Sequence, residues 1–364
     1  MKIKEIVSAL EKFAPLPLQD GFDNAGLQIG LTDAEATGAL LCLDVTETVI
    51  DEAVSLACNL IISHHPLIFK GYKSLTGKDC VEKCIMKAIK NDIAIYAAHT
   101  NLDNAQGGVN YKIAEKIGLK NLQFLSEKED MLLKLVTYVP ESHAAAIREA
   151  LFGAGCGHIG NYDSCSYSTV GEGTFRAGKD ANPYCGTIGK LHRETELRIE
   201  TVLPGFKEQA AIKALISAHP YEEPAFDIYR LKNSGAQSGS GIVGELDVAE
   251  TELDFLKRVK EIFEVTCLKH NKPSGCSIRK VALCGGSGSF LLPCAIATNA
   301  DAFITGEMKY HEYFGHESEI LIAEIGHYES EQYTKEILHA IIKKQFPDAN
   351  IYNSKTNTNP IKYL

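Results

Sequence analysis

Nowhere in the 364 residues do the roughly 18 apolar side chains needed for a bilayer-crossing helix run together, so no membrane span is expected. A basic surplus is also missing: 37 Lys and Arg stand against 47 Asp and Glu, a formal charge of −10. Little in that balance would neutralise a phosphate backbone, and nucleic acid is not an expected partner. The one stripe at helical spacing, Lys112, Lys116 and Lys120, is short enough to be a solvated helix face. The 11 cysteines are odd in number and spread from Cys42 to Cys294, unlike the tight intervals of a disulfide-stapled secreted domain. Reduced thiols and a cytoplasmic location follow as expectations. Met1 to Leu18 alternates Lys and Glu with Ile3, Ile6, Val7 and Leu10, which reads as an amphipathic helix and not as the apolar centre of a signal peptide. Internal repeats and low-complexity tracts are absent as well.

What remains is an ordinary globular composition, 45% hydrophobic and 23% charged, on a chain long enough for two domains at roughly 150 residues each. In the first 120 residues, apolar runs of strand length alternate with helix-period stretches: strand 38–43, helix 47–58, strand 60–63, helix 80–91, strand 93–98. That alternation predicts an α/β domain with a mixed, mainly parallel sheet and flanking helices. From about Met131 the rhythm changes to strand 132–139, helix 142–154, polar strands around 162–169 and 186–188, strand 196–203, helix 207–218 and strand 225–231. Two βαβ-like halves of this kind predict an inserted ferredoxin-like α+β sandwich. Asn233 to Gly241, rich in Gly and Ser, has linker composition. The α/β pattern then resumes with helix 253–263, strand 280–284, helix 290–299, strands 302–305 and 320–324, and a long helix 329–345. The expected organisation is a discontinuous α/β domain, 1–126 with 235–364, split by an insert at 127–234.

Three predicted strand ends carry the chemistry. Ser63-His64-His65-Pro66 follows one strand, His99-Thr100-Asn101-Leu102-Asp103 a second, and Gly326-His327-Tyr328-Glu329-Ser330-Glu331 a third. Ligands of open α/β sheets bind beyond the carboxyl ends of strands. Taken singly, each stretch could be a hydrogen-bonded loop, an Asx turn or an acidic helix start. Taken together, they bring His64, His65, Asp103, His327 and Glu331 to one edge, with His327 and Glu331 four apart on one helix face. Three imidazoles and two carboxylates exceed what one tetrahedral ion needs, and they suit two divalent ions. Zn, Mn, Fe, Ni and Co all accept such donors. Glu307, Lys309, His311 and Glu312 follow the strand at 302–305 and could orient the ligands, transfer protons or simply form a polar loop; His99, His311 and Glu307 are the candidates for proton transfer.

The chain resembles the Nif-three-like family, whose members are labelled GTP cyclohydrolase I type 2 homologues. The resemblance spans both flanking segments and rests on Asp23-Asn24-Ala25-Gly26-Leu27-Gln28, on the three stretches above and on Gly306-Glu307-Met308-Lys309-Tyr310-His311-Glu312. It implies a dinuclear metal centre on the same five residues, a toroidal homohexamer and, in longer members, an inserted PII-like or CutA-like domain. His219-Pro220-Tyr221-Glu222-Glu223-Pro224 is similar to the motif of that insert.

Weaker features remain. Cys284-Gly285-Gly286-Ser287-Gly288-Ser289 lies between a strand and a helix, where its amides could cradle a phosphate or simply make a tight turn. Cys80 and Cys84 are four apart on a helix and fit burial better than a redox pair. His219, Glu222 and Glu223 could bind a metal or effector, or mark a strand boundary. The expected function is a dinuclear metal-dependent hydrolase of a nucleotide or other phosphate-bearing small molecule. The alternative is a non-catalytic regulatory or metal-handling protein whose insert senses a small ligand.

Overall fold

A computed structural model describes residues 1–128, 132–233 and 238–364. The chain divides into two compact units, Met1–Ser126 with Gln237–Leu364, and Glu127–Ala236. No helix among the described residues is long and apolar enough to cross a membrane.

The first unit holds two sheets where the sequence pattern predicts one. Five strands pair in the order Gly26–Ile29, Ala94–Ala97, Leu60–Ser63, Ala39–Cys42, Ile351–Asn353, all parallel except the first. Six others pair in the order Lys269–His270, Leu321–Glu324, Ala302–Thr305, Ser277–Cys284, Gly239–Thr251, Lys120–Glu127; the three from 277 to 324 are parallel. The apolar alternation names parallel strands correctly, but it does not say which triplets pair. Lys269–His270 and Gly239–Thr251 add antiparallel neighbours to the second triplet.

The inner strands Ala39–Cys42, Leu60–Ser63, Ala94–Ala97, Ala302–Thr305 and Leu321–Glu324 are buried at every position. Apolar side chains on both faces require a cover on both sides, which the helices supply. Helix Glu47–Ser55 starts where the Thr46 hydroxyl accepts from the Val49 amide at 3.3 Å. Helix Cys80–Lys90 starts where Asp79 accepts from the Glu82 amide at 2.8 Å. Val49, Ile50, Ala53, Cys84, Ile85 and Ala88 of these helices pack on Leu40, Ile61 and Ile95 of the first sheet. Parallel pairing runs in step, Cys42 beside Ser63 beside Ala97 in one sheet and Cys284 beside Thr305 beside Glu324 in the other. Each triplet therefore delivers its next residues to a single level.

Glu82 illustrates how a helix start fastens a loop. Its carboxylate accepts from the Thr76 amide at 2.8 Å, the Thr76 hydroxyl at 3.1 Å and the Lys78 amide at 3.1 Å. The Thr76 amide above all holds its pKa down at about 2. A carboxylate depressed in this way stabilises the fold above the ordinary Glu range and loses that contribution as pH falls through about 2. Glu82→Gln at neutral pH should speed hydrogen exchange at the Thr76 and Lys78 amides and leave the inner strands protected. Equal protection in the variant would show that the loop is held by something else.

The predicted long helix at 329–345 is two helices, His327–Glu331 and Thr334–Gln345. The Thr334 hydroxyl donates to the Glu331 carbonyl at 2.7 Å and ends the first one. Gly239–Gly241, predicted as linker, begins the strand Gly239–Thr251, and Ser234 to Gln237 of that predicted linker lie outside the described residues. A Cβ at Gly239 would sit 2.5 Å from the Ser126 carbonyl oxygen, so this glycine permits a close strand approach.

The second unit is a four-stranded antiparallel sheet in the order Ser166–Arg176, Leu191–Pro204, Leu132–Pro140, Phe226–Arg230. Helices Ala144–Gly153 and Glu208–Ala218 bury Ile147, Leu151, Ala211 and Leu215 with Leu135, Val139, Ile199 and Leu203 of the sheet. The predicted strand at 186–188 is loop; Gly186 and Gly189, at φ 84° and 77°, turn the chain there instead.

Candidate metal centre

Beyond Ser63 the chain places His64 and His65; beyond Ala98 it places His99, with Asp103 one turn further on. Beyond the strand Leu321–Glu324 of the second sheet, Gly326 at φ 98° turns into the helix that carries His327 and Glu331. The first unit thus brings together all five residues proposed as ligands, from the strand ends of two sheets and not from one sheet edge.

Every histidine in the cluster has its Nδ1 engaged. His64 Nδ1 lies 2.8 Å from the Ala98 carbonyl, His65 Nδ1 2.7 Å from Asp44, His99 Nδ1 2.7 Å from Asp23 and His327 Nδ1 2.8 Å from Glu307. An imidazole that donates from Nδ1 presents Nε2 as its acceptor, and these four rings crowd within 5.0–5.5 Å, centroid to centroid, along the chain His327, His65, His64, His99. Glu331 sits under them: its carboxylate is 2.9 Å from His65 Nε2, 3.2 Å from His327 Nε2 and 3.7 Å from His64 Nε2. Asp103 is 3.6 Å from His64 Nε2.

Two atoms of this cluster, His64 Nε2 and Asp103 Oδ1, are buried without a hydrogen-bond partner. Such orphaned donors and acceptors are costly unless something else meets them. The ligating atoms of His64, Asp103 and Glu331, those of His65, His327 and Glu331, and those of His64, His65 and His99 each gather within 4.8 Å. The donor set, the orphaned atoms and the spacing all fit a divalent cation.

Electrostatics agree. Burial disfavours charge on His65, but the Asp44 and Glu331 carboxylates outweigh it and push its pKa up to about 10. His327 is raised to about 9, burial again being overcome by Glu331. Burial and the neighbouring Glu331 raise Asp103 well above the carboxylate range, whereas Glu331, despite its burial, is held well below that range by His64 and its neighbours. The carboxylates demand positive charge, which protons supply when no metal does.

Three partners orient the rings, and two of them, Asp44 and Asp23, escape a reading of the sequence in that role. Asp44 follows the strand Ala39–Cys42 and is itself held by the Thr358 hydroxyl. Asp23 accepts from His99 and from the Thr100 amide and hydroxyl; although burial opposes it, these hold its pKa at about 2. Glu307, expected to orient a ligand or to move protons, faces His327 and the Ser287 hydroxyl and acts on the ring's orientation. His311 is displaced from the site altogether: it stands exposed on the turn Tyr310–Tyr313, its ring against Tyr310 and Phe314, and does not line the cavity. The Lys309 amide donates to Glu312 at 2.9 Å and closes that turn on itself.

The three glycine amides of the Gly-rich turn are already bonded within the protein. The amide of Gly285 donates to Asn110 at 2.9 Å, that of Gly286 to Ser330 at 3.0 Å and that of Gly288 to Thr305 at 3.2 Å. His219 is satisfied too, with Nε2 3.0 Å from the Tyr138 carbonyl and Nδ1 accepting from the Tyr221 amide at 3.1 Å. Lys112, Lys116 and Lys120 pair with Glu115, Glu336 and Asp247 at 3.1, 3.1 and 2.6 Å, so the stripe is neutralised.

A mixed α/β fold with a histidine and carboxylate cluster at its strand ends defines the class. The family model of Duf34/NIF3 (NGG1p interacting factor 3) matches residues 1–360, and the chain belongs to that family. It is 38% identical over 366 residues to a GTP cyclohydrolase 1 type 2 homolog of Halalkalibacterium halodurans, covering 99% of this chain and 98% of the other. It is 37% identical over 369 residues to the Bacillus subtilis protein of the same name, with the same coverage. Among solved structures, a Bacillus cereus protein related to NIF3 superposes with a TM-score of 0.86 at 38% identity, over 100% of this chain and 99% of that one. Staphylococcus aureus protein SA1388 superposes at 0.78 and 30% identity with equal coverage.

Proposed function

We propose that the protein is a metal-dependent hydrolase that holds two divalent ions through His64, His65, Asp103, His327 and Glu331 and acts on a nucleotide or another phosphate-bearing small molecule. The observation that carries the reading is the clustering of four imidazoles, each with Nδ1 anchored, around two unpartnered buried atoms, His64 Nε2 and Asp103 Oδ1. When bound, such ions supply a hydroxide equivalent near neutral pH and polarise the bond under attack. His99, held by Asp23, lines the cavity and in this reading passes a proton to the leaving group.

The cavity measures about 420 Å³, and its mouth carries three exposed aromatic rings, Phe22, Phe69 and Phe290. Phe22 and Phe69 lie 6.3 Å apart, and Phe69 lies 6.2 Å from His99. Exposed phenyl faces beside a cation-binding cluster suit a planar base joined to a phosphate. The relatives' name, GTP cyclohydrolase 1 type 2 homolog, points to the same substrate class. Within this reading the second unit is a ferredoxin-like insert, and the protein works as a cytoplasmic homohexamer.

The test is turnover of a panel of nucleotides and phosphoesters by stripped protein reloaded with Zn, Mn, Fe, Ni or Co. Two ions per chain and turnover with at least one metal are expected. Phe69→Ala should raise KM for a nucleotide about tenfold and leave KM for a base-free phosphoester unchanged. Absence of turnover with every metal would favour the second reading, a regulatory or metal-handling protein. A cavity of about 900 Å³ on the second unit, lined by Tyr138, Arg198 and Tyr221 among others, favours that reading by offering room for an effector.

A further inference from the structure

Unit two carries a second cluster of metal-ligating side chains, built on different elements and from different donors. In the strand Leu191–Pro204, alternate side chains share a face, so His192, Glu194 and Glu196 stand in a row on the side opposite the buried Ile199 and Leu203. The loop from the strand Ser166–Arg176 returns over this row and sets Cys185 against it. Gly186, at φ 84°, makes the approach possible: a Cβ there would lie 3.0 Å from Cβ and Cγ of His192. One ligand atom each from Cys185, His192 and Glu194 falls within a single 4.8 Å group.

Among the described residues this is the one such group that contains a sulfur. All 11 cysteines are unbonded to one another, yet among the described residues Cys185 alone sits with an imidazole and a carboxylate in coordinating range. His192 Nε2 is 2.9 Å from Glu194 Oε2, and the thiol, 4.0 Å from the Tyr221 hydroxyl, also interacts with Glu194. That hydroxyl donates to the buried Glu196 at 2.8 Å, so the carboxylate next along the row is already held. The adjoining cavity is acidic: Glu172, Asp180, Glu196, Glu222 and Glu223 line it against Arg198. These carboxylates favour cations on this side of the unit.

We propose that Cys185, His192 and Glu194 form a metal site for one thiophilic transition-metal ion of the Zn(II) or Cd(II) class. A set of one sulfur, one nitrogen and one oxygen donor leaves a fourth tetrahedral position for water and selects against Mg(II), Ca(II) and Mn(II), which favour all-oxygen surroundings. On binding, the Cys185 thiol loses its proton to solvent and the His192–Glu194 hydrogen bond gives way to coordination. The site is independent of the histidine and carboxylate cluster of unit one, which has no sulfur ligand, so it stands or falls without the hydrolase reading.

The probe is Cd(II) added to the full-length protein, read as the ultraviolet thiolate-to-metal charge-transfer band and as bound Cd per chain. Cys185→Ser and His192→Ala should each lose one equivalent of Cd; Cys185→Ser should also lose the band. Cys276→Ser, at an exposed cysteine, should retain both. A tenfold excess of Mg(II) should not displace the ion. Alkylation of the unsubstituted chain, followed peptide by peptide, supplies a readout that needs no variant: Cd(II) should slow modification of Cys185 at least about tenfold. An unchanged band in Cys185→Ser, an equal loss in Cys276→Ser, or unprotected Cys185 would overturn the site.

Discussion

Glu331→Gln should bind the first-unit metals more than about 100-fold more weakly, since loss of a partner that only orients a ligand already costs about 10–100-fold. The carboxylate of Glu331 stands between His65 at 2.9 Å, His327 at 3.2 Å and His64 at 3.7 Å, and among the described residues no other carboxylate pairs with all three rings. The amide keeps the shape and removes the charge, so a fall in bound Zn or Mn, measured by elemental analysis and by titration, reports the charge. Retention of both ions in the variant would remove Glu331 from the ligand set. The pH dependence follows from the same carboxylates. His65 and His327, raised to about 10 and about 9, hold protons that a metal must displace. Affinity should therefore climb as pH rises towards that range. In the metal-free protein the sign is reversed for stability: groups with raised pKa values stabilise the fold fully below the ordinary imidazole range. That contribution is lost as pH rises through about 9 to about 10. Thermal unfolding of stripped protein across that interval, with and without added Zn, should show the two trends crossing.

How much of this was readable before the fold depends on where each signal lives. Strands such as Leu60–Ser63 and Leu321–Glu324 are buried on both faces and read as continuous apolar runs. Gly26–Ile29 and Ile351–Asn353 are edge strands, half-exposed and three or four residues long, with too few alternations to stand out. The division into two sheets is invisible because pairing is decided by packing between distant segments. His99 and His311 both follow a strand, yet only His99 comes directly off the sheet; His311 lies beyond Thr305 in a turn with its own hydrogen bonds. Asp44 and Asp23 act on rings 21 and 76 residues away, which no local spacing encodes. The ligands were legible because several share a strand end or one helical turn. Of the residues that aim them, Glu307 was legible beside its strand end, whereas Asp44 and Asp23 were not.

The Gly-rich turn has a different purpose from the one its composition suggests, and a single methyl group tests it. Gly286 has φ 58°, and a Cβ there would lie 2.4 Å from Glu331 Oε1 and 3.4 Å from His327 Nε2. Its amide is fixed by Ser330 at 3.0 Å, and its carbonyl oxygen would lie 2.6 Å from a Cβ on Gly306, so the backbone has little room to retreat. Glu331 cannot yield cheaply either, because its side chain is buried and tied to His65. Gly286→Ala should therefore push the shared carboxylate out of line and weaken metal binding by about 10–100-fold, comparable to removing an orienting partner. The left-handed backbone alone would cost an alanine about 1–2 kcal/mol of stability, so a control must carry that strain without the contact. Gly275 does: φ is 90° and a Cβ there meets nothing within 4 Å. Gly275→Ala should lower the unfolding midpoint to a similar degree and leave metal affinity unchanged. If both variants lose affinity equally, the effect is general destabilisation; if only Gly286→Ala does, the glycine is there because the metal centre occupies the space its side chain would need.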